Sequence, residues 1–371
     1  MVMADQLYIG IDSGTQGTKG VLLSAQSGEL IGESYHGYEL IENERGGREQ
    51  HPDSWVEACE QVLSELLSPS HVSPSEVRAI GVSGQQHGMV PLDRHGKVIR
   101  PAKLWCDTET TRQCATITSR AGGQEAVLKA IGNQVAVGFT ASKVLWLRDN
   151  DPQGYERLAT VLLPHDYINF WLTGERLTEF GDASGTAYFD VVHRCWSKTL
   201  LEAIDPSGKL SHCLPGFVAA DEPAGRVRQE ICERFGLSAD VVVSSGGGDN
   251  MMAAIGTGNV VPGVVTASLG TSGTIYGYSD RPVVDDSGEL ASFCSSSGGW
   301  LPLVCTMNVT VTTELVRSLF GLSLEEMNLL AESVPPGAEG LLLLPYFNGE
   351  RTPPLPESTA NLGGMTGLNM T

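Results

Sequence analysis

Along the first forty residues, apolar positions come in short runs broken by turn signals. Leu7–Asp12 is apolar and β-rich, and a Gly/Thr turn separates it from Lys19–Leu23. Leu30–Tyr38 follows the Ser-Gly turn at 27–28. Short strands joined by tight turns predict an antiparallel meander that opens a sheet. The period then changes. After Asp53, residues Trp55, Val56, Cys59, Val62, Leu63 and Leu66 fall at i, i+3, i+4 spacing, which predicts a helix over Pro52–Leu67. Val77–Ser83 reads as a buried strand that ends at Gly84.

From Asp107 to Gly236 the pattern is mostly helical. The spacing predicts helices over Thr108–Ala121, Gln124–Ile131, Ala141–Asp149, Asp166–Leu172 and Gln229–Phe235, with a short strand at Thr160–Leu163 closed by Pro164. Val241–Ser245 is an apolar run that stops at Gly246-Gly247-Gly248, before a helix at Met251–Ile255. A second meander begins near Val264. Its expected strands are Val265–Leu269, Thr274–Tyr278 and Gly299–Thr306, followed by helices at Val311–Leu319 and Leu324–Ser333 and a strand at Leu341–Pro345 whose apolar stripe reads as core. Residues Asn361–Thr371 are Gly-rich.

The two meanders repeat one unit. Ile11-Asp12-Ser13-Gly14-Thr15-Gln16-Gly17-Thr18 and Ser268-Leu269-Gly270-Thr271-Ser272-Gly273-Thr274 are both strand, Gly-Thr turn, strand. A duplicated meander-plus-helix domain with a Gly-Thr turn at each first hairpin resembles the plan of the actin-like ATPases. The fold class expected is therefore α/β, of the actin-like (ribonuclease H-like) type, with two domains around a cleft, 1–245 and 246–371.

Composition narrows the function. The chain has 371 residues with 41% apolar and 18% charged content, an ordinary globular balance. A net charge of −20 repels a phosphodiester backbone, so nucleic acid is not an expected partner. The eight cysteines are scattered, without C-x-x-C pairs or zinc spacing, which points to reduced thiols in the cytoplasm. The first twelve residues lack the apolar core of a signal peptide, and no apolar run reaches membrane-spanning length, so no membrane partner is expected.

No G-x-x-x-x-G-K-[ST] motif is present, so the chain is not a P-loop enzyme. Two Gly-Thr hairpins facing one cleft would offer backbone N–H groups and hydroxyls to a polyphosphate, with Gly14 and Gly270 allowing close approach and Thr15, Gln16, Thr271, Ser272 and Lys19 adding donors. Asp12 beside phosphates is useful mainly if Mg²⁺ lies between them. Either hairpin alone reads rather as a plain turn that needs glycine, with Asp12 as its cap; the pairing favours phosphate. Asp249, delivered by the glycine triplet, fits a base for phosphoryl transfer or, equally, an N-cap for the helix that follows. Gly84-Gln85-Gln86-His87-Gly88 follows a buried strand, and Trp105-Cys106-Asp107 follows in sequence. An indole face, an amide, an imidazole and a carboxylate suit a polyol; a core Trp and a satisfied loop His are the alternative. His51, His165 and His193 read as structural.

Together these motifs resemble the FGGY carbohydrate kinases. The resemblance rests on Asp12-x-Gly-Thr, Gly84-Gln-Gln-His-Gly, Trp105-x-Asp107, Gly138-Phe-Thr-Ala-x-Lys143-x-Leu-Trp146, Gly246-Gly-Gly-Asp-Asn250, Ser268-Leu-Gly-Thr-Ser-Gly273 and Phe347-x-Gly-Glu-Arg-Thr-Pro353, in the family's order from residue 7 to 368. The Gln-x-His-Gly and Gly-Gly-Gly-Asp-Asn pieces are most similar to the xylulokinase branch; glycerol kinases carry other residues there. The resemblance implies Asp249 as catalytic base, Asp12 as the residue handling Mg²⁺–ATP, Gln86, His87, Trp105, Asp107, Asp249 and Asn250 around the sugar, and Thr271 with its neighbours on the ATP phosphates. It departs at Ser142, where many relatives have Pro. It also implies that the Gly-rich adenosine loop of the family is missing, because from Gly263 to Thr371 there is no room for the later β–α units of about 30 residues each. The expected ligands are ATP, Mg²⁺ and D-xylulose, and a homodimer is left open. The rival readings are a kinase for another ketose or polyol, a sugar-binding form without catalysis, and an actin-like chaperone or filament, which would have no use for Gln86-His87 or Trp105.

Overall fold

The computed structural model describes residues 6–69, 72–340, 343–347, 349, 350, 352 and 355. The expected strand at 341–345 lies partly outside these, and its described part has no regular structure; the Gly-rich stretch 361–371, and Arg351 and Pro353 of the last motif, lie outside the described residues.

The first hairpins fold as the alternation requires. β1 (Leu7–Ser13), β2 (Gly17–Ser24) and β3 (Leu30–Gly37) form an antiparallel meander. Leu7, Ile9 and Ile11 of β1 enter the core, while Tyr8 and Asp12 face outward. Helix α1 (Pro52–Leu67) then lays Trp55, Cys59, Val62, Leu63 and Leu66 into the same core. Its acidic first-turn residue, Asp53, and Pro52 at its first turn suit a helix start. The return strand, β4 (Val77–Gly84), runs parallel to β1, with Asp12 opposite Ser83 and Ser13 opposite Gly84.

Between β4 and the next strand of this sheet lies a mostly helical insertion. Helices α2 (Thr111–Arg120), α3 (Gln124–Ile131), α4 (Thr140–Asn150) and α6 (Lys198–Ile204) enclose a second core around Ile117, Ile131, Val144, Leu147, Tyr188 and Ile204. Helix α5 (Pro164–Thr173) sits under the main sheet instead and gives Tyr167, Ile168 and Leu172 to the first core. The chain then adds β5 (Pro223–Arg226) and β6 (Val242–Ser244), making the order β5-β6-β4-β1-β2-β3. A two-residue strand, β7 (Gly247–Gly248), pairs parallel with Ser83 and Gly84, which carries this sheet past the boundary expected at 245/246. Helix α7 (Asp249–Gly256) starts at once.

A second sheet repeats the opening meander: β8 (Val265–Leu269), β9 (Gly273–Gly277) and β10 (Leu303–Thr306), all antiparallel. Helices α8 (Thr310–Leu319) and α9 (Leu324–Ser333) follow. The strand expected from Gly299 begins only at Leu303. Trp300 instead sends its indole N–H to the Val191 carbonyl at 2.8 Å, under the Arg194 guanidinium at 4.2 Å. Nearby, Asn133 exchanges two hydrogen bonds with the Ser292 backbone, at 2.6 and 2.7 Å. The segment before β10 is therefore docked on the insertion.

Lys143 of α4 fastens its own helix to the loop that precedes it. It is fully buried, and its Nζ donates to the carbonyls of Val137 (3.3 Å), Gly138 (2.5 Å) and Phe139 (2.9 Å). Burial pulls this amine down to about 7 against the opposing charge of Asp107. Three acceptors match the three N–H donors of the charged form. Lys143→Met keeps the apolar stem but strands three buried carbonyls, so urea unfolding should show a loss on the order of 3 kcal/mol; an unchanged midpoint would show that water replaces the amine at no cost.

Candidate active site

The carboxyl ends of β1, β4 and β7 meet at one level, where open α/β sheets place their ligands. A cavity of about 360 Å³ opens there, lined by Asp12, Ser83, Asp249, Asn250 and Ala253 from the first sheet and its helix, and by Ser268 and Tyr276 from the second.

Asp249 reaches this floor because of the glycine triplet. Gly246 has φ +66°, and a Cβ there would meet the Val82 carbonyl oxygen at 2.4 Å. Only glycine makes that turn at low cost. Asp249 then occupies the first turn of α7, where its Oδ1 accepts from the Asn250 backbone N–H at 2.7 Å and from Asn250 Nδ2 at 3.0 Å. The residue is open to solvent, yet both sheets crowd around it. That desolvation raises its carboxyl to about 7; the Asn250 N–H opposes the rise, and the charges of Asp12 and Asp182 add to it.

Asp12 is exposed in the cleft, and its Oδ1 accepts from Ser83 Oγ at 2.8 Å. Across the hairpin it faces Lys19, also exposed. In the first hairpin, Gly14 N–H donates to the Gly17 carbonyl at 3.0 Å and Gln16 is exposed. Thr15 is engaged differently from the free donor expected: its hydroxyl accepts from Trp105 Nε1 at 2.9 Å and donates to Gln85 Oε1 at 3.2 Å, while Gln50 Nε2 holds its carbonyl at 2.8 Å. In the second hairpin, Gly270 N–H donates to the Ser272 carbonyl at 3.0 Å, Thr310 closes on the Gly270 carbonyl at 2.8 Å, and Thr271 and Ser272 stay exposed.

The residues expected around a sugar divide into two groups. Gln86, Asn250 and Thr274 form a line across the floor: Thr274 Oγ1 donates to Asn250 Oδ1 at 3.1 Å, and Asn250 Nδ2 donates to Gln86 Oε1 at 2.7 Å. His87 is buried beside them, and Trp105 is 37% exposed at the cleft edge. Asp107 is a correction. It is fully buried, and its carboxylate accepts from Lys103 Nζ (2.7 Å), the Arg48 backbone N–H (2.9 Å) and the Glu109 backbone N–H (3.1 Å). Lys103, buried as well, also pairs with Glu49 and Glu109 and lies 4.2 Å over the Trp146 ring. Asp107 therefore holds the scaffold and offers nothing to a ligand. Glu350 of the last motif is likewise structural, accepting from Thr306 Oγ1, the Met307 backbone N–H and Asn308 Nδ2.

Sequence reasoning missed Ser83, Tyr276 and Gln50, and gave no role to Gln85 although it lies in the quoted Gly84–Gly88 motif. Ser83 was readable as the last polar position of a buried strand; Gln50 carries no local signal. His165, read as structural, sits with Asp182 and Asp166 behind His87. Among the described residues no group of three or more His, Cys, Asp or Glu is placed to hold a metal, which leaves Asp12 and Asp249 as the carboxylates of the cavity.

Comparison with known proteins places the whole chain beside carbohydrate kinases. The sequence profile of the "FGGY family of carbohydrate kinases, N-terminal domain" matches residues 7–256. The chain is 46% identical over 369 residues to a xylulose kinase of Haemophilus influenzae, covering 98% of this chain and 75% of that one. It is 38% identical to a xylulose kinase of Streptomyces coelicolor, covering 97% and 70%. Among solved structures, a "xyloylose kinase" of Brucella ovis superposes with a TM-score of 0.88 at 30% identity, covering 98% of this chain and 74% of that one.

Two outcomes test the site's electrostatics. Asp107→Ala leaves Lys103 buried with poorer partners, so it should cost about 3 kcal/mol in urea unfolding while leaving ligand affinity of the folded fraction nearly unchanged; a selective loss of affinity would return Asp107 to the ligand. Asp249 is held above its ordinary carboxylate value, so the folded state disfavours its charge, and stability falls as pH rises from the ordinary 3.8 through about 7. Asp249→Asn removes that penalty. Its melting temperature should exceed the wild type's at pH 8, and the gain should vanish below pH 4; an equal shift at both pH values would contradict the crowding described above.

Proposed function

This chain belongs to the FGGY family of carbohydrate kinases, and we propose that it transfers the γ-phosphoryl group of ATP to D-xylulose, giving D-xylulose 5-phosphate. The observation that carries this reading is Asp249: a carboxylate at the floor shared by both sheets, held near 7 and placed beside Asp12. The names of the relatives supply the sugar.

A base with that affinity for protons suits a neutral working pH, since it is ionised yet still basic enough to accept the proton of an attacking hydroxyl. Asp249 takes that proton on its carboxylate. Gln86, Asn250, His87 and Trp105 surround the sugar and orient the hydroxyl toward the nucleotide. The backbone N–H groups of the two Gly-Thr turns, with Gln16, Thr271, Ser272 and Lys19, face the phosphates and spread their charge over fixed dipoles. Thr15 contributes by fixing Trp105 and its own loop.

Mg²⁺ fits this donor set. Such an ion uses one or two carboxylates together with substrate phosphates and keeps several waters, so it needs no cage of protein ligands. Asp12 would hold it: one oxygen rests on Ser83, and no described residue occupies the other. When bound, the ion supplies charge neutralisation and alignment of the phosphates. The setting proposed is the cytoplasm, in keeping with eight free thiols; no helix among the described residues is long and apolar enough to cross a membrane.

Tryptophan fluorescence tests the sugar directly, because Trp105 stands at the cleft edge. D-Xylulose should give a saturable change, and D-ribulose and glycerol little. A response to either control without one to D-xylulose would overturn the substrate. In an ADP-release assay, Asp249→Ala should lose on the order of 10³-fold in turnover while keeping sugar affinity, and wild-type kcat/KM should fall tenfold per pH unit below about 7, the value for Asp249. Near-normal turnover in the variant would sink the base.

A further inference from the structure

We infer that Asp182 is a positioning residue for the sugar site: it holds the His87 ring with Nδ1–H turned inward, so that Nε2 is presented as a hydrogen-bond acceptor to a hydroxyl of the sugar. The inference rests on reading the cleft as that of a sugar kinase.

Asp182 lies 95 residues from His87 in sequence and is fully buried beneath it. Its own position is fixed by Glu179, whose carboxylate accepts from the backbone N–H groups of Gly181 (2.6 Å) and Asp182 (2.5 Å) and from Ser296 Oγ of the docked segment (2.8 Å). Asp182 Oδ1 accepts the backbone N–H of His87 at 3.2 Å and lies 3.2 Å from its ring Nδ1; Oδ2 lies 2.9 Å from His165 Nδ1. Burial alone would raise the Asp182 carboxyl. The hydrogen bonds from His165 and His87 outweigh burial and hold it at about 2, so it stays ionised. An ionised carboxylate can only accept, so the ring nitrogen facing it must carry a proton. In a neutral imidazole the other nitrogen is then an acceptor, which fixes the tautomer.

Three further features fix the same ring. His87 has φ +59°, a left-handed conformation that costs energy for a residue with a Cβ and that concentrates at functional sites. Gly185 passes directly beside it: a Cβ there would lie 1.9 Å from His87 Nδ1. Phe293 stacks on the ring at 5.5 Å and Phe139 meets it edge-on at 5.0 Å. With Nδ1 on Asp182 and the ring flanked by two aromatics, the Nε2 edge is the part left for a ligand. A histidine that merely filled the core would need neither a strained backbone nor a glycine cut away for its nitrogen. The preceding residue, Gln86, is hydrogen-bonded to Asn250 beside Asp249, which puts the ring next to the reacting end of the cleft.

The test combines spectroscopy and kinetics. Long-range ¹H–¹⁵N correlation spectra of the protein labelled at histidine report which ring nitrogen bears the proton. Wild type should show His87 as the Nδ1–H tautomer. Asp182→Asn offers an amide that can donate as well as accept, so the tautomer should mix or switch. The KM for D-xylulose should rise about tenfold, the cost of one misdirected hydrogen bond to the sugar, with a smaller change in kcat. A purely structural role would lower the active fraction and leave KM alone. Gly185→Ala, which displaces the ring with Asp182 intact, should raise KM in the same way. Wild-type His87 found as the Nε2–H tautomer, or a folded Asp182→Asn with unchanged KM, would overturn the proposal. Should Asp182→Asn fail to fold, the wild-type spectrum and Gly185→Ala still decide it. Should no sugar bind the wild type, the kinase reading fails, and the tautomer in wild type and variant alone decides the role of Asp182.

Discussion

The site depends on one parallel register. Asp12 lies opposite Ser83, Ser83 opposite Gly247, and Gly84 opposite Gly248, so three strand ends stop at one level. A slip of one residue in either pairing would turn Asp12 or Ser83 to the opposite face of the sheet. The register is held by the core below, where Ile11, Ile80, Val82 and Val243 alternate inward. It is extended upward by two glycines with no side chain to obstruct the floor. Asp249 follows at once and is delivered by backbone geometry rather than by a flexible loop. Hydrophobic alternation thus places a carboxylate.

The same compactness creates an electrostatic problem. Asp12 and Asp249 line one cavity, Asp182 lies behind it, and the whole chain is strongly acidic. The nearby buried lysines do not relieve it, because Lys103 is committed to Asp107, Glu49 and Glu109, and Lys143 to three backbone carbonyls. Asp249, desolvated between the sheets and facing these added charges, keeps a raised affinity for protons, the property a base requires. On the proposed reading, a polyphosphate would be met by backbone N–H groups, exposed Lys19 and a metal ion. His165 meets the buried end of the problem: Asp166 and Asp182 both lie against it and hold its imidazole at about 9 despite burial.

Much of this was legible from periodicity. Helix α1 and the helix at 124–131 fall on the residues expected from spacing, because each buries one clear apolar stripe. The duplicated Gly-Thr hairpins and the glycine triplet were readable because turn chemistry is local. The strands at 41–42, 48–50 and 90–92 were not, the last being the partner of the expected strand at 160–162, since two or three residues form a strand only when tertiary contacts supply the partner. Asp107 shows the matching error for a site: adjacency to Trp105 suggested a shared ligand, but the carboxylate turns inward to Lys103 and the Arg48 backbone. Asp182 was hidden for the opposite reason, with its partners at 87 and 165 and no motif among the three.

The docked segment before β10 joins these threads. It belongs to the second sheet by chain order, yet Ser292, Cys294, Ser296 and Trp300 are hydrogen-bonded to the insertion of the first. Through Phe293 it also forms one wall of the His87 pocket. The His87 side of the cleft is therefore built from both halves of the chain and held on that flank by buried polar contacts, which are costly to break. On the other side, the hairpin at 270–273 is exposed and meets the first sheet through the Thr274–Asn250 contact. The two sheets are therefore tied firmly on the His87 flank and lightly at the exposed hairpin, an asymmetry that fixes the His87 ring and the floor residues Gln86 and Asn250 relative to one another.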